Sequence, residues 1–268
     1  MGNSVGLEIN NSSVTVKNSR FSNVGRSTTA SNSSSISVFS GTLDLWGLGN
    51  DPVSDATIVF DGAAQVTNPG IGVYLHASNG TIKGAKIENA SNGIIHFRPS
   101  GLTPAKYLNV TDCSFTGFQK DGILLNSGTF LPLKLSSLGI QKCVFDDNSA
   151  APGIRHGIKI DAGIPSSGTG IKLDKNIMYH RARPQDGDYK FWGISLLNIE
   201  GGSGSSNELY DEGTLFYTSG HQFIGIQMEM CRNFFWGSNI IKGDGIAGFN
   251  NEFAFNTAES PSCYYSCN

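Results

Sequence analysis

The sequence predicts an all-β chain folded as a parallel β-solenoid, and two short repeated phrases predict it. The first phrase is a Gly followed by an apolar, a variable and a second apolar residue. Its copies begin at Gly6, Gly72, Gly93, Gly122, Gly157, Gly193, Gly225 and, in degenerate form, Gly245. Such alternation is typical of a strand, and the Gly is interpreted as a turn position that excludes a Cβ atom.

The second phrase lies between copies of the first. It has an apolar residue in its first column, a small or medium residue in its fourth and a large apolar residue in its sixth. Its copies run from Val16 to Phe21, Ile82 to Ile87, Val110 to Phe115, Ile140 to Phe145, Leu173 to Met178 and Phe235 to Ile240. Fixed columns indicate that each repeat packs its inward side chains on those of its neighbour. We therefore expect the first and sixth columns to be buried in parallel strands of successive coils.

Other repeat classes fit the sequence poorly. Leucine-rich repeats require Leu-x-x-Leu-x-Leu with Asn or Cys, and no such string is present. Helical repeats require a 3.6-residue period and much Ala, Leu, Glu and Lys, whereas this chain is rich in Gly, Ser, Asn, Thr and Ile and only 15% charged. With two or three short strands per turn, residues 5 to 260 resemble the right-handed parallel β-helix of the pectate-lyase-like superfamily. The resemblance implies about eight or more coils.

Composition and charge limit the organisation and the partners. The 268 residues are predicted to form a single β-helix domain over residues 1–268. The Ser-rich stretch from Ser27 to Ser37 is interpreted as a surface loop, because apolar alternation resumes at once with Ile36 and Val38. A net charge of −3 argues against a nucleic-acid groove or an anionic membrane surface. No apolar run approaches the ~20 residues that span a bilayer.

The two ends of the sequence lack the terminal caps that a solenoid needs. The first repeat begins almost at once, and the stretch from Cys263 to Cys267 reads as the start of another coil. The string from Asn250 to Phe253, continued through Cys263 and Cys267, is similar to repeats in large Bacteroidetes surface proteins exported with a C-terminal sorting domain. This resemblance implies a segment of a longer chain at the cell surface or outside the cell. We expect further polypeptide at both solenoid ends.

Two cysteines occupy the same column in successive coils. The Cα atoms of Cys113 and Cys143 are expected at the strand spacing of about 4.8 Å, which lies in the lower part of the range that a disulfide tolerates. A disulfide and a pair of buried thiols both remain open, with both side chains facing inward. Zinc is not expected at Cys263 and Cys267, because no His or second Cys pair sits at ligand spacing nearby.

Candidate functional residues lie in the loops that precede the first phrase, because loops from successive coils pile up along one face of the rod. The candidate catalytic residues are Asp147, His156, Arg183 and Asp186. The candidate ligand-binding residues are Asp146, Arg155, Arg181, Tyr189, Lys190 and Trp192. The same residues also fit a simpler interpretation, in which 146–148 is a polar turn and 180–192 is a charged surface loop.

The mixture of residue types suits a glycan. Aromatic faces stack on sugar rings, and Arg and Lys hold uronate or sulfate groups. A glycoside hydrolase needs two carboxyl groups about 5–9.5 Å apart, a role open to Asp147 and Asp186. A lyase needs a basic group such as Arg181 or Arg183, and often Ca²⁺ held by carboxylates. The Asp-Asp and Arg-His-Gly strings resemble motifs of polygalacturonases, although here both fall within one coil.

Three functions remain after this reading. The sequence favours a secreted or cell-surface scaffold that acts as a glycan-facing display or adhesion module, with a polysaccharide or surface glycan as its partner and no cofactor. The alternative is a polysaccharide lyase or glycoside hydrolase, resembling a tailspike depolymerase, with its site on turns 146–156 and 180–192. Ca²⁺ is expected only if the protein is a lyase. A purely structural stalk is the third reading.

Overall fold

The computed structural model describes residues 5–24, 33–47, 57–60, 70–97, 105–127, 135–149, 153–167, 170–181, 189–212, 221–243, 253–256 and 264–266. These ranges contain strands joined by turns and bends and no helix. None of their segments is therefore a helix long and apolar enough to cross a membrane.

The described residues form short strands throughout. In the first half of the chain these are β1 Val5–Asn10, β2 Ser13–Lys17, β3 Arg20–Ser22, β4 Ser34–Phe39, β5 Thr42–Trp46, β6 Thr57–Val59, β7 Ile71–His76, β8 Asn79–Lys83, β9 Lys86–Glu88, β10 Asn92–Phe97, β11 Lys106–Thr111, β12 Ser114–Thr116 and β13 Asp121–Asn126. The second half contributes β14 Leu135–Gln141, β15 Val144–Asp147, β16 Gly153–Ser167, β17 Ile171–Asp174, β18 Ile177–His180, β19 Tyr189–Ser205, β20 Glu208–Asp211, β21 His221–Glu229, β22 Arg232–Gly237, β23 Ile240–Gly243, β24 Phe253–Asn256 and β25 Tyr264–Ser266.

The strands stack in three parallel ladders. Ladder I runs β1, β4, β7, β10, β13, β16, β19, β21, β24. Ladder II runs β2, β5, β8, β11, β14, β17, β19, β22, β25. Ladder III runs β3, β6, β9, β12, β15, β18, β20, β23. One coil therefore takes one strand from each ladder in turn.

The all-β parallel solenoid predicted from the sequence is confirmed. Every strand pair in the three ladders is parallel, and the 17-residue strand β19 belongs to both ladder I and ladder II. Among the described residues, strand pairing joins nine strands in ladder I, nine in ladder II and eight in ladder III.

The core is a continuous rod between the ladders. Ile82, Val110, Ile140 and Leu173 from ladder II are fully buried, as the repeat predicts. The large sixth column is buried in ladder III at Ile87, Phe115, Phe145 and Met178, whereas its first member, Phe21, is only partly buried. The rings of Phe115 and Phe145 stack 4.8 Å apart in adjacent coils. The repeat columns are therefore stacks of side chains along the rod axis.

The last predicted copy of the second phrase is wrong by one residue. Trp236 aligns with Gly204 and is fully buried, whereas Phe235 is 53% exposed. Ile240 is likewise 42% exposed, and its neighbour Ile241 packs against the core. Because successive side chains of a strand point to opposite faces, a shift of one residue places the whole copy on the wrong side. The column is restored when the copy begins at Trp236.

The Gly of the first phrase is a close-packing position rather than a turn. A Cβ on Gly122 would lie 2.6 Å from the ring of Phe145, and one on Gly157 would lie 2.8 Å from the sulfur of Met178. Neither Gly has a positive φ angle. The large residue that ends each coil in ladder III therefore fills the space that a side chain at the Gly would need.

The cysteine column is a pair of buried thiols in this structure. Cys113 and Cys143 both face the core, as predicted, and both are free. Their sulfurs lie near carbonyl oxygens of the preceding coil, 3.6 Å from that of Ile82 and 3.7 Å from that of Val110 respectively. Burial raises the pKa of the Cys143 thiol well above its usual value, with a hydrogen bond to Cys113 adding to the shift.

Asparagines continue the same column with stronger hydrogen bonds. Asn176 Nδ2 donates to the carbonyl of Ile140 at 2.9 Å, and Asn207 Nδ2 donates to that of Leu173 at 2.7 Å. The side-chain oxygen of Asn207 also accepts from the Asn176 side chain at 3.0 Å and from the Asn176 backbone N–H at 3.1 Å. Each amide thus ties its own coil to a neighbour.

Replacement of Asn207 by Ala should lower the free energy of unfolding by about 2–4 kcal/mol, because it leaves buried donors and acceptors of two coils unpaired. The measurement is the urea unfolding midpoint. Glu200→Ala, at an exposed position of β19, is the control and should change it little. An Asn207→Ala midpoint equal to that of the control would contradict the role of the column.

Gly122→Ala should cost about 1–3 kcal/mol, because the added methyl group overpacks against Phe145 and the Gly157 carbonyl. Gly139→Ala is the matched control, since a Cβ at this position would have as its nearest atom the side-chain oxygen of Asn109, 3.1 Å away. Thermal unfolding of both variants compares the costs. Equal melting temperatures would show that the Gly positions are not close-packed.

Candidate functional site

The predicted site residues lie around the corner where ladder III passes into ladder I. Arg183 and Asp186 lie outside the described residues, so the predicted pairing of Asp147 with Asp186 stays a prediction. Tyr189 is described only by its backbone, as the first residue of β19, and Lys190 is half-buried beside it. The remaining six predicted residues fall into three separate arrangements.

The first arrangement is a buried ion cluster formed by Asp147, Arg155 and His180. The Asp147 carboxylate accepts from Arg155 Nε at 2.6 Å and from Arg155 Nη2 at 3.2 Å. His180 Nδ1 lies 2.8 Å from Asp147 Oδ2, and its ring stacks on that of Phe191 with 5.3 Å between centroids. The cluster therefore joins the end of one coil to the start of the next, so the expectation that the Asp-Asp and Arg-His-Gly strings fall within one coil is wrong.

All three members of the buried ion cluster are out of contact with solvent. The side chains of Asp147 and Arg155 are 0% exposed and that of His180 is 1% exposed. Buried charges are tolerated when they are paired with an opposite charge and hydrogen-bonded. The Asp147 carboxylate is paired with Arg155 and also has a hydrogen bond with His180. The Asp147 carboxylate is buried, and the catalytic role predicted for it stays a prediction.

The second arrangement is a polar column formed by Asn92, Asp121, His156 and Trp192 at equivalent positions of successive coils. Asn92 Nδ2 donates to Asp121 Oδ2 at 2.8 Å, and His156 Nδ1 lies 2.7 Å from Asp121 Oδ1. Since an ionised carboxylate only accepts, His156 carries its proton on Nδ1. The rings of His156 and Trp192 are nearly perpendicular, with 5.0 Å between centroids and 83° between planes. In the part of the chain that the structure describes, His156 Nε2 and Trp192 Nε1 have no hydrogen-bond partner, and both atoms are buried.

The third arrangement is on the outer surface of ladder III. We name it the tyrosine strip, and its members are Asp146, Tyr179, Arg181, Glu208, Tyr210 and Glu212. In strands β15, β18 and β20 the inward residues are Phe145, Met178 and Leu209. Because side chains alternate along a strand, the next residue in each strand faces outward, and strand pairing aligns Asp146, Tyr179 and Tyr210.

The tyrosine strip is held together by stacking and ion pairs. The rings of Tyr179 and Tyr210 stack with 5.5 Å between centroids and 17° between planes. Arg181 lies over the Tyr179 ring, 4.0 Å from its centroid, and donates from Nε to Glu212 at 2.7 Å and from Nη1 to Asp146 at 3.2 Å. Arg181 and Glu212 are exposed. The strip is thus an ordered surface that remains open to solvent.

Local contacts shift the pKa values of the strip. Partial burial raises the pKa of Asp146, and Arg181 opposes that shift only in part. The hydrogen bond from the Tyr210 hydroxyl to Glu208 Oε2, at 2.6 Å, raises the pKa of Tyr210 to about 12. The hydrogen bond to Glu212 raises the pKa of Arg181 further. At neutral pH the tyrosine hydroxyl is therefore uncharged.

The structure brings together some predicted residues and separates others. Asp146 meets Arg181, and Asp147 meets Arg155, but His156 pairs with Asp121 rather than with Asp147. Sequence reasoning placed Asp121 and His180 in the candidate loops but gave them no role, and it missed Tyr179 and Tyr210. The signal for the tyrosines is their column, since Tyr179 and Tyr210 each follow the large apolar residue of a ladder III strand. The copy of the second phrase that precedes Tyr210 was not recognised, because Gly204 stands in its first column, where the other copies have an apolar residue.

Metal binding has no support among the described side chains. No group of three or more His, Cys, Asp or Glu in that part of the chain is placed to hold a metal ion. The expectation of Ca²⁺ for a lyase stays a prediction.

Comparison with known proteins agrees with the architecture. The family model for a right handed beta helix region matches residues 5–180. The match covers more than half of the chain and includes the strands that carry Asp121, Asp146 and Tyr179, so the protein belongs to this β-helix family. No curated protein and no solved structure matches the chain. The family describes the scaffold and leaves the role of the outer surfaces open.

Replacement of two neighbouring carboxylates should have effects of very different size. Asp147→Asn should destabilise the fold by about 3–5 kcal/mol, because the buried Arg155 loses its carboxylate partner. Asp146→Asn should change stability by less than about 1 kcal/mol, because it loses a partly exposed ion pair but also removes the cost of keeping a charge at a partly buried position. Chemical unfolding at neutral pH measures both. Equal losses would show that Asp147 is not the buried partner of Arg155.

Proposed function

We propose that this β-helix is a scaffold that presents the tyrosine strip to glycans as an extracellular or cell-surface display or adhesion module. The observation that carries the proposal is the stacked pair Tyr179 and Tyr210 on the outer wall, fixed by charged side chains on adjacent coils. Aromatic faces with nearby hydrogen-bonding groups are the means by which proteins hold sugar rings.

The rod makes this surface rigid. Tyr179 and Tyr210 stand beside fully buried residues, Met178 and Leu209, in strands that are paired along their length. A ligand that binds them therefore loses little to reordering of the protein, since the rings are already positioned. Repetition along the axis also suits a ligand that is itself a repeating chain.

The enzyme remains the second candidate, because the polar column orients an imidazole. The Asp121 carboxylate orients the His156 ring, and Nε2 of this ring has no hydrogen-bond partner among the described residues, which is the arrangement that a general base requires. Both nitrogens that lack partners are buried, whereas Tyr179 and Tyr210 are only half-buried. The display function is favoured because its residues are accessible.

Glycan binding can be tested by titration of the full chain with soluble oligosaccharides, followed by calorimetry and by analysis of the sugar for cleavage. Tyr210→Ala should weaken binding by about tenfold, because it removes a stacking surface. Tyr107→Ala is the matched control, since Tyr107 is a half-buried tyrosine on ladder II, and it should leave affinity unchanged. Failure of every oligosaccharide to bind would contradict the proposal, and cleavage without dependence on Tyr210 would favour the enzyme.

We also propose that further polypeptide packs on the N-terminal end of the rod. Leu7, Val14 and Phe21 pack against the core but remain half-buried. Their counterparts in the next coil include Ile36 and Leu43, which are fully buried. Among the described residues, β1, β2 and β3 pair on one side only, so the first coil offers an apolar layer and strand edges to another strand layer, from the same chain or from a partner.

The end surface predicts association of the isolated 268-residue chain. Its mass by light scattering should rise with concentration, and Val14→Lys should suppress the rise by placing a charge in the apolar layer. Thr15→Lys, on the exposed outer side of the same strand, should leave the rise in mass unchanged. A chain that stays monomeric across the whole dilution series would show that the end needs no partner.

A further inference from the structure

Cys113 and Cys143 are held side by side in the turns that join ladder II to ladder III. Their alignment is fixed from both sides, because β11 pairs with β14 before them and β12 pairs with β15 after them. The Val144 N–H also donates to the Cys113 carbonyl at 2.9 Å. The two Cα atoms are therefore about one strand spacing apart, ~4.8 Å, whereas a disulfide tolerates about 4.4–6.8 Å.

The two sulfurs are neighbours in the core. Both side chains are buried, and a hydrogen bond links one thiol to the other. The other contacts of these sulfurs are with backbone carbonyls, at 3.2 and 3.6 Å for Cys113 and at 3.4 and 3.7 Å for Cys143. Thiols are weak donors, so little is lost when the two sulfurs turn from the carbonyls towards each other.

A bond between these sulfurs would strengthen the column where it is weakest. Further along the same column, the side-chain amides of Asn176 and Asn207 donate to carbonyls of the preceding coil at 2.9 and 2.7 Å. The equivalent contacts of Cys113 and Cys143 are long, at 3.6 and 3.7 Å. A covalent link would do for the cysteine coils what the amides do for the later ones.

We propose that Cys113 and Cys143 form a disulfide between adjacent coils when the chain folds under oxidising conditions. The pair of thiols in the structure is the form that results from folding under reducing conditions. The bond joins two points about 30 residues apart in the chain, so it also restricts the unfolded state.

Oxidation of the pair requires an acceptor for two electrons, and a small-molecule disulfide such as oxidised glutathione supplies it. The thiolate of one cysteine attacks the glutathione disulfide, forms a mixed disulfide and releases one glutathione. The second cysteine then attacks the protein sulfur of the mixed disulfide and releases the other glutathione. Two protein thiols thus become one disulfide, and oxidised glutathione becomes two thiols.

Burial determines when this exchange takes place. In the folded rod the sulfurs are out of contact with solvent, and burial raises the pKa of the Cys143 thiol, which lowers its reactive thiolate fraction. The exchange therefore precedes closure of the coils, and the closed rod protects whichever state it contains. The core thus keeps the redox state of the surroundings in which the chain folded.

The test is folding of the full chain in two glutathione buffers, one oxidising and one reducing, both from urea and during cell-free synthesis. The products are alkylated in denaturant, digested with trypsin and analysed by mass spectrometry. In the oxidising buffer we expect peptides 107–120 and 143–155 to be joined, with a mass two hydrogens below their sum. Cys231, which is buried in another turn, is the internal control and should be alkylated.

The timing is tested by adding the oxidising buffer to protein that is already folded and reduced. This protein should stay reduced over the period in which the folding chain becomes linked. Equal rates of linkage would overturn the protection of the pair by burial.

Urea unfolding without reductant measures what the bond does. The chain folded in the oxidising buffer should unfold at a higher urea concentration than the reduced chain. Cys143→Ser should abolish this difference, whereas the matched control Cys231→Ser should retain it. Alkylation of both Cys113 and Cys143 after folding in the oxidising buffer, or linkage of either to another cysteine, would overturn the inference. None of these outcomes depends on glycan binding.

Discussion

The fold depends on the packing of a column of large apolar side chains in ladder III against a column of glycines in ladder I. At the start of each coil in ladder I a Gly leaves a space, and the large apolar residue that ends the same coil in ladder III fills it. Leu209 lies so close to Gly193 that a Cβ there would come within 2.2 Å of it. Since interiors pack at crystal-like density, this fit sets how closely the two walls approach. The spacing of the outer surfaces follows from this distance between the two walls.

The architecture was predictable because each coil packs only on its neighbours, so the same apolar positions recur in every repeat of the sequence. Buried columns such as Ile140 and Phe145 recur in fixed order, and only parallel stacking explains their coincidence. The prediction failed at Phe235, because a window that begins one residue early still shows an apolar first and sixth residue. Only strand pairing with Gly204 reveals the correct register. The sequence indicated that each copy of the first phrase needs a Gly. The reason is a close contact with the large apolar residue of ladder III, which the sequence alone does not reveal.

The candidate site was less predictable, because its contacts join residues of different coils. Asp146 and Asp147 look alike in sequence, yet alternation puts one outside with Arg181 and the other inside with Arg155. His156 finds Asp121 only when loop lengths between coils are known, since 35 residues separate them. Composition indicated aromatic and charged residues at one corner. Which of them meet is decided by register and by the inward or outward phase of each strand.

The stacked rings of His180 and Phe191 hold together two strands that are consecutive in the chain. His180 ends β18 and Phe191 lies near the start of β19, and their rings stack 5.3 Å apart with an interplanar angle of 6°. Both side chains are buried, so the core itself fixes the positions of the two strand ends. Because the entropy of closing a loop rises only slowly with its length, a change in the length of the connection should cost the fold little. The interior of the rod therefore sets no narrow limit on the number of residues that join β18 to β19.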